Sequence, residues 1–121
     1  MKNFKTLKVW EKAHRHTLEV YKITSNFPKE EMYGLTSQVR RSVASIAANI
    51  AEECGKGTEK DFARFLQIAL GSAHETEYFQ ILSRDLKYIS AEQHEYLDQN
   101  INEIKAMLIG LIKKINKSLT F

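Results

Sequence analysis

A chain of 121 residues, 43% apolar and 27% charged, has the make-up of one ordered domain with a single core. Its formal charge of +3 and pI of about 9.0 permit an anionic partner without demanding one. The lone Cys54 excludes an internal disulfide and suits a reducing cytoplasm. Lys2 and Lys5 precede no apolar run, so no signal peptide is expected. No apolar segment nears the ~20 residues that cross a bilayer, and no membrane association is expected.

With one proline and five glycines the chain is poor in turns, and four helical patterns account for it. The first covers residues 7–25 and carries two apolar stripes, Val9-Ala13-His16-Val20-Ile23 and Trp10-Thr17-Tyr21-Thr24. Phe27-Pro28 ends it, because a residue before proline avoids the helical region. The second covers residues 35–53. Ser42, Ala44, Ser45, Ala47, Ala48 and Ala51 make it a small-residue helix that a neighbour can approach closely. Its polar groups Arg40, Arg41, Asn49 and Glu52, with Glu75 from the next helix, are expected to form a polar network inside the bundle. Glu52 should pair with Arg41, since buried charge survives when paired. Adjacent arginines on a helix diverge by about 100°, which leaves one of the two for a partner.

Gly55-Lys56-Gly57 is a loop. Thr58 with Asp61 is a capping box that opens the third helix, whose core face reads Phe62, Phe65, Leu66, Ala69, Ala73, Thr76, Phe79 and Leu82 as far as about Tyr88. Ser90 with Gln93 opens the fourth, where Leu97, Ile101, Ile104, Leu108, Leu111 and Ile115 keep a three-four spacing. Short loops between long helices favour antiparallel neighbours. The fold class is therefore an all-α, up-down-up-down four-helix bundle in a single domain over residues 1–121. Met107, Ile109 and Ile112 lie off the main seam of the fourth helix, so residues 106–112 are apolar nearly all round. A four-helix monomer needs only one apolar face per helix, and the excess predicts an oligomer interface at these three positions.

The motif FP-x-x-E-x-YGLTSQ-x-RR-x-x-x-SI-x-x-NIAE, residues 27–52, resembles the signature of the 23S rRNA-intervening-sequence proteins, also called four-helix-bundle proteins. Leu7-Lys8-Val9-Trp10-Glu11-Lys12-Ala13 and Phe65-Leu66-x-Ile68-Ala69-x-Gly71-Ser72-x-x-Glu75 fit the same family, in order and spacing. At Glu53-Cys54 the chain departs from the family's usual Gly after Ala-Glu. The resemblance implies a ring-shaped pentamer. It also implies kinship with basic pentameric barrels that accompany retroelement reverse transcriptases and engage RNA and a protein partner.

Lys5, Lys8, Lys12 and Arg15 follow helical spacing along the first helix, Lys56, Lys60 and Arg64 recur every fourth position around the start of the third, and Lys113, Lys114 and Lys117 close the fourth. Such spacing can meet successive phosphates and release their counterions, which makes the first seven the expected nucleic-acid-binding residues. Gly55-Lys56-Gly57-Thr58 lacks the spacing and the preceding strand of a nucleotide-hydrolysing loop, and is at most an anion site at a helix N-terminus. The four histidines form no i,i+4 pair, and His74-Glu75-Thr76-Glu77 lacks a second ligand, so no metal or cofactor is expected. Ser42 and Ser45 have no histidine nearby, and no catalytic constellation is present. The expected function is a non-enzymatic cytoplasmic homo-oligomer that binds RNA or DNA weakly and without strong sequence preference. The alternative is an adaptor ring that docks a protein partner.

Overall fold

The computed structural model describes residues 3–119, and every regular element among them is helical. Helix α1 spans Lys8–Thr24, α2 Leu35–Glu53, α3 Glu59–Asp85 and α4 Ala91–Leu119, with short 3-10 turns at Phe4–Thr6 and Lys29–Glu31. Hydrogen bonds between helices give their directions. Thr17 donates to the Val43 carbonyl at 3.2 Å while Arg40 donates to Thr24 at 2.8 Å, so α2 runs against α1. Thr76 with Ser42 and Ser72 with Ser45, both at 2.9 Å, run α3 against α2. Lys105 donates to Glu77 at 2.6 Å, and the short α3–α4 connection returns α4 against α3. The α2–α3 pairing is the most extensive, α1 meets α4 least, and α1 and α3 lie on the diagonal.

The capping chemistry matches the expectation. Thr58 Oγ1 accepts the Asp61 N–H at 3.1 Å. Ser90 and Gln93 form a reciprocal box, each backbone N–H bonded to the other's side chain at 2.8 and 3.0 Å. The end of α3 was expected near Tyr88 but comes at Asp85. There the Tyr88 N–H donates to the Ser83 carbonyl and the Lys87 N–H to Arg84, both at 2.9 Å. This is a Schellman stop with Lys87 at φ 64°. Lysine is an uncommon choice there, because a Cβ strains the left-handed region by roughly 1–2 kcal/mol. Lys87→Gly should therefore raise the urea midpoint, by about 0.5–1 kcal/mol after glycine's greater chain entropy is subtracted, with an unchanged slope. A lowered midpoint would contradict this account.

Helix α2 is held at both ends. Glu31 Oε1 accepts the Leu35 N–H at 3.1 Å, and Glu31 Oε2 accepts the Tyr88 hydroxyl at 2.8 Å. A Cβ on Gly34 would stand 2.7 Å from that Oε1, so the cap needs glycine. These two bonds hold the Glu31 carboxyl below the usual range, and the hydrogen bond to Glu31, helped by burial and the Glu31 charge, raises the Tyr88 phenol. At the other end Gly55 takes the left-handed position, at φ 76°.

The core is formed by Val9, Ala13, Val20, Val39, Val43, Ile46, Ile50, Phe62, Leu66, Ala69, Ala73, Leu97, Ile101, Ile104, Leu108, Ile112 and Ile115. Two stripes differ from expectation. On α3 the inward positions after Thr76 are Gln80 and Ser83, whereas Phe79 and Leu82 are half-buried. The inward spacing is an unbroken four-three alternation from Phe62, and apolar identity alone misplaced its last turns. On α4 the buried position is Ile112, and Leu111 is half-buried. A straight helix drifts against a seven-residue repeat, so the stripe steps four residues after Leu108 rather than three.

This corrects the expected oligomer interface. Ile112 is core, Met107 is half-buried against the core, and only Ile109, 38% exposed, is open. The other large exposed apolar groups are Leu18 on α1, Ile68 and Tyr78 on α3, and Tyr96 on α4, with Met32 and Tyr33 in the α1–α2 connection.

Candidate nucleic-acid interface

The antiparallel course puts the start of α1, the α2–α3 loop and the end of α4 at one end of the bundle. Lys5, Lys8, Lys56, Lys60 and Arg64 are all exposed there, as are Lys113 and Lys114. Because α4 neighbours both α1 and α3, its terminal lysines bridge the two groups that lie on diagonal helices. The opposite end carries Glu30, Glu31, Asp85, Glu92, Glu95 and Asp98. Lys29, Arg84 and Lys87 stand among those carboxylates, and Glu53, Glu59 and Asp61 stand among the lysines of the basic end.

The seven residues expected to bind nucleic acid are not equivalent. Lys12 and Arg15 lie further along α1 and are already engaged, Lys12 with Glu103 of α4 and Arg15 with Glu11 at 3.1 Å. The Arg64 guanidinium lies 4.8 Å from the centre of the Phe65 ring. The loop does not form the anion site its glycines suggest. A Cβ on Gly57 would meet Glu53 Oε2 at 2.8 Å and Asp61 Oδ2 at 3.3 Å, so carboxylates surround the loop. Glu59 and Asp61 occupy the first turn of α3, where they already neutralise the positive end of its dipole.

Of the residues expected to form a buried polar network, only Asn49 joins the polar seam between α2 and α3. Ser42, Ser45, Asn49, Ser72 and Thr76 make the α2–α3 seam. Asn49 donates to the Ser45 carbonyl and hydroxyl at 2.8 and 2.9 Å. Arg40 crosses instead to α1, donating to Thr24 at 2.8 Å and to the Tyr21 carbonyl at 3.2 Å, with its guanidinium 4.6 Å from the Tyr21 ring centre. It serves the carbonyl end of α1. Arg41, Glu52 and Glu75 are exposed and form no ion pair among the described residues, so the expected Glu52–Arg41 pair is not made. Small side chains bring α2 and α3 together closely enough for hydroxyls to meet, which leaves the long charged side chains at the periphery.

One polar pair was not anticipated. His16 Nε2–H donates to Gln80 Oε1 at 2.6 Å across the diagonal of the core, with both residues buried. Its signal was present: His16 stands on an apolar stripe, and Gln80 completes the four-three spacing of α3. Desolvation is the main cause holding the His16 imidazole below its ordinary value, opposed in part by Gln80 and by the Glu19 charge. His16 also lines a cleft of about 260 Å³ between α1 and α4, the loosest seam of the bundle. Among the described residues no cluster of three His, Cys, Asp or Glu side chains could hold a metal, and no helix is long and apolar enough to cross a membrane.

No curated protein matches this chain. A similar solved structure is that of a protein of unknown function from the S23 ribosomal protein family of Bacteroides thetaiotaomicron VPI-5482. It is 34% identical, with a TM-score of 0.78 over 87% of this chain and 98% of that one. The family model described as 23S rRNA-intervening sequence protein matches residues 5–110. With that span matched and three motifs in register on a four-helix bundle, the chain belongs to the 23S rRNA-intervening sequence protein family.

Proposed function

We propose that this protein is a non-enzymatic, self-associating cytoplasmic bundle that holds nucleic acid weakly, and without strong sequence preference, at its basic end. The observation that carries the reading is the convergence of Lys5, Lys8, Lys56, Lys60, Arg64, Lys113 and Lys114 from three separate segments onto one end. Its relatives' names refer to ribosomal RNA, which makes RNA the first probe to use. Self-association is supported by Ile68, Tyr78 and Ile109, large apolar groups left exposed by the single chain outside the α1–α4 cleft. A five-fold ring is the state the family resemblance favours, and it would repeat each basic end around one axis.

The test is titration of labelled RNA and duplex DNA at rising salt. Affinity should fall with a log–log slope of about −0.7 to −0.9 per phosphate contacted. Replacing Lys8, Lys60 and Lys114 together by glutamate should cost at least about tenfold in affinity at low salt. The melting transition should move little, because exposed charges contribute little to stability. Replacing Lys12 and Arg15 by alanine should weaken binding less, since both are engaged within the chain. Binding that survives high salt, or the absence of binding to either nucleic acid, overturns the reading. The second outcome would leave the exposed apolar groups as the surface of a protein adaptor.

A further inference from the structure

The cleft between α1 and α4 is built from one face of each helix, His16 and Glu19 from α1 and Tyr96 and Asn100 from α4 among them. Its own cations are engaged, Lys12 with Glu103 and Arg15 with Glu11. Among the groups left over are several acceptors. Glu19 is half-buried and its carboxylate forms no ion pair among the described residues. His16 Nε2 is paired with Gln80 Oε1 at 2.6 Å, and its Nδ1 is buried beneath the cleft with no partner. Asn100 spends an Nδ2–H on the Tyr96 carbonyl at 3.0 Å, which leaves Oδ1 to accept. The Tyr96 ring, 52% exposed, offers an aromatic face on the same cleft.

We propose that this cleft is a binding site for a small organic cation, a primary alkylamine or diamine. An ammonium group has donors and no acceptors, which complements a set of unspent acceptors with one unpaired carboxylate. Its charge gains from the Tyr96 face, and its methylenes pack on Leu18 and Ile104. An anion would have to compete with Glu103 and Glu11 for Lys12 and Arg15. The site is separate from the basic end proposed for nucleic acid, and neither depends on the other.

The experiment is NMR titration of the full chain, observing the His16 ring and the Tyr96 and Asn100 signals, with putrescine as the probe and butyrate as the control of opposite charge. Putrescine should give saturable shifts at these residues, and butyrate should give none. Glu19→Gln keeps the size of the side chain and should weaken putrescine by about tenfold, the effect of removing a charged hydrogen-bond partner. Tyr96→Leu keeps an apolar wall and should weaken it two- to fivefold, roughly the worth of an exposed cation–π contact. Neither variant should alter RNA binding, and Lys60→Glu should not alter putrescine binding. Absence of saturable shifts, equal shifts with butyrate, or unchanged affinity in a folded Glu19→Gln variant would overturn the proposal.

Discussion

Ile112→Glu should strongly destabilise this protein, whereas Ile109→Glu, three residues earlier, should leave its stability nearly unchanged. Ile112 is 5% exposed and packed in the core cluster, so an ionised side chain there would be buried without a partner. By analogy with a stranded half of a buried ion pair, the cost is roughly 3–5 kcal/mol. A domain of this kind has about 5–15 kcal/mol in total, so the loss is a large share of its stability. Ile109 is 38% exposed. Glutamate there should change stability by no more than about 0.5 kcal/mol, the ordinary range for a surface substitution. Urea unfolding checks both variants, and light scattering on Ile109→Glu reads the mass of the assembly. An Ile112→Glu variant as stable as the parent would place that residue outside the core. A drop to single-chain mass in Ile109→Glu would put Ile109 in the interface between copies.

Stability should fall on acidification from pH 8 to about 5.5, and His16 should be the cause. Burial holds its imidazole below the ordinary value of 6.5, so the folded state favours the neutral ring. Below pH 6.5 the unfolded chain takes up a proton before the folded one does. The contribution is therefore complete above about 6.5 and is lost as pH falls from there toward the folded value. Glu31, held below its ordinary value, stays ionised through this window. His16→Leu should flatten this part of the profile. The same variant strands the Gln80 side chain, whose Nε2 already lacks a partner, and should cost about 1–3 kcal/mol at pH 8. Adding Gln80→Leu should recover part of that loss, because replacing both members of a buried polar pair by apolar groups of similar shape can be nearly neutral. The coupling in this double-mutant cycle should be about 0.5–3 kcal/mol. A coupling near zero, or a His16→Leu profile as steep as the parent's, would show that the pair does not act as described.

Local chemistry was the legible part of the chain. Helix number, the span of α2 at Leu35–Glu53, and the caps at Thr58 and Ser90 depend on residues within a few positions of one another, and the structure has them as read. The closeness of α2 to α3 was legible too, because alanine and serine at the contact admit a neighbour. What those small residues would bond to was not. Serine and threonine hydroxyls find partners only across an interface whose register is set in three dimensions, and the arginines expected at that seam went to its edge. The ends of stripes misled for a related reason. Periodicity on α3 asked for Gln80 and Ser83 inside. Their burial became sensible only once His16, 64 residues away in sequence, was seen to reach Gln80 across the core.

The candidate site divides in the same way. The sequence by itself determined that this is an all-α four-helix protein of modest positive charge with lysines recurring at helical spacing, because those properties reside in composition and short-range period. Only the tertiary structure decided which of those lysines share a surface. Antiparallel packing brings Lys8, Lys60 and Lys114 to one end, and a neighbour on α4 engages Lys12. The physical reason is that a helix aligns only residues three or four apart, whereas charge acts through space. Its field depends on the topology that folds distant segments together.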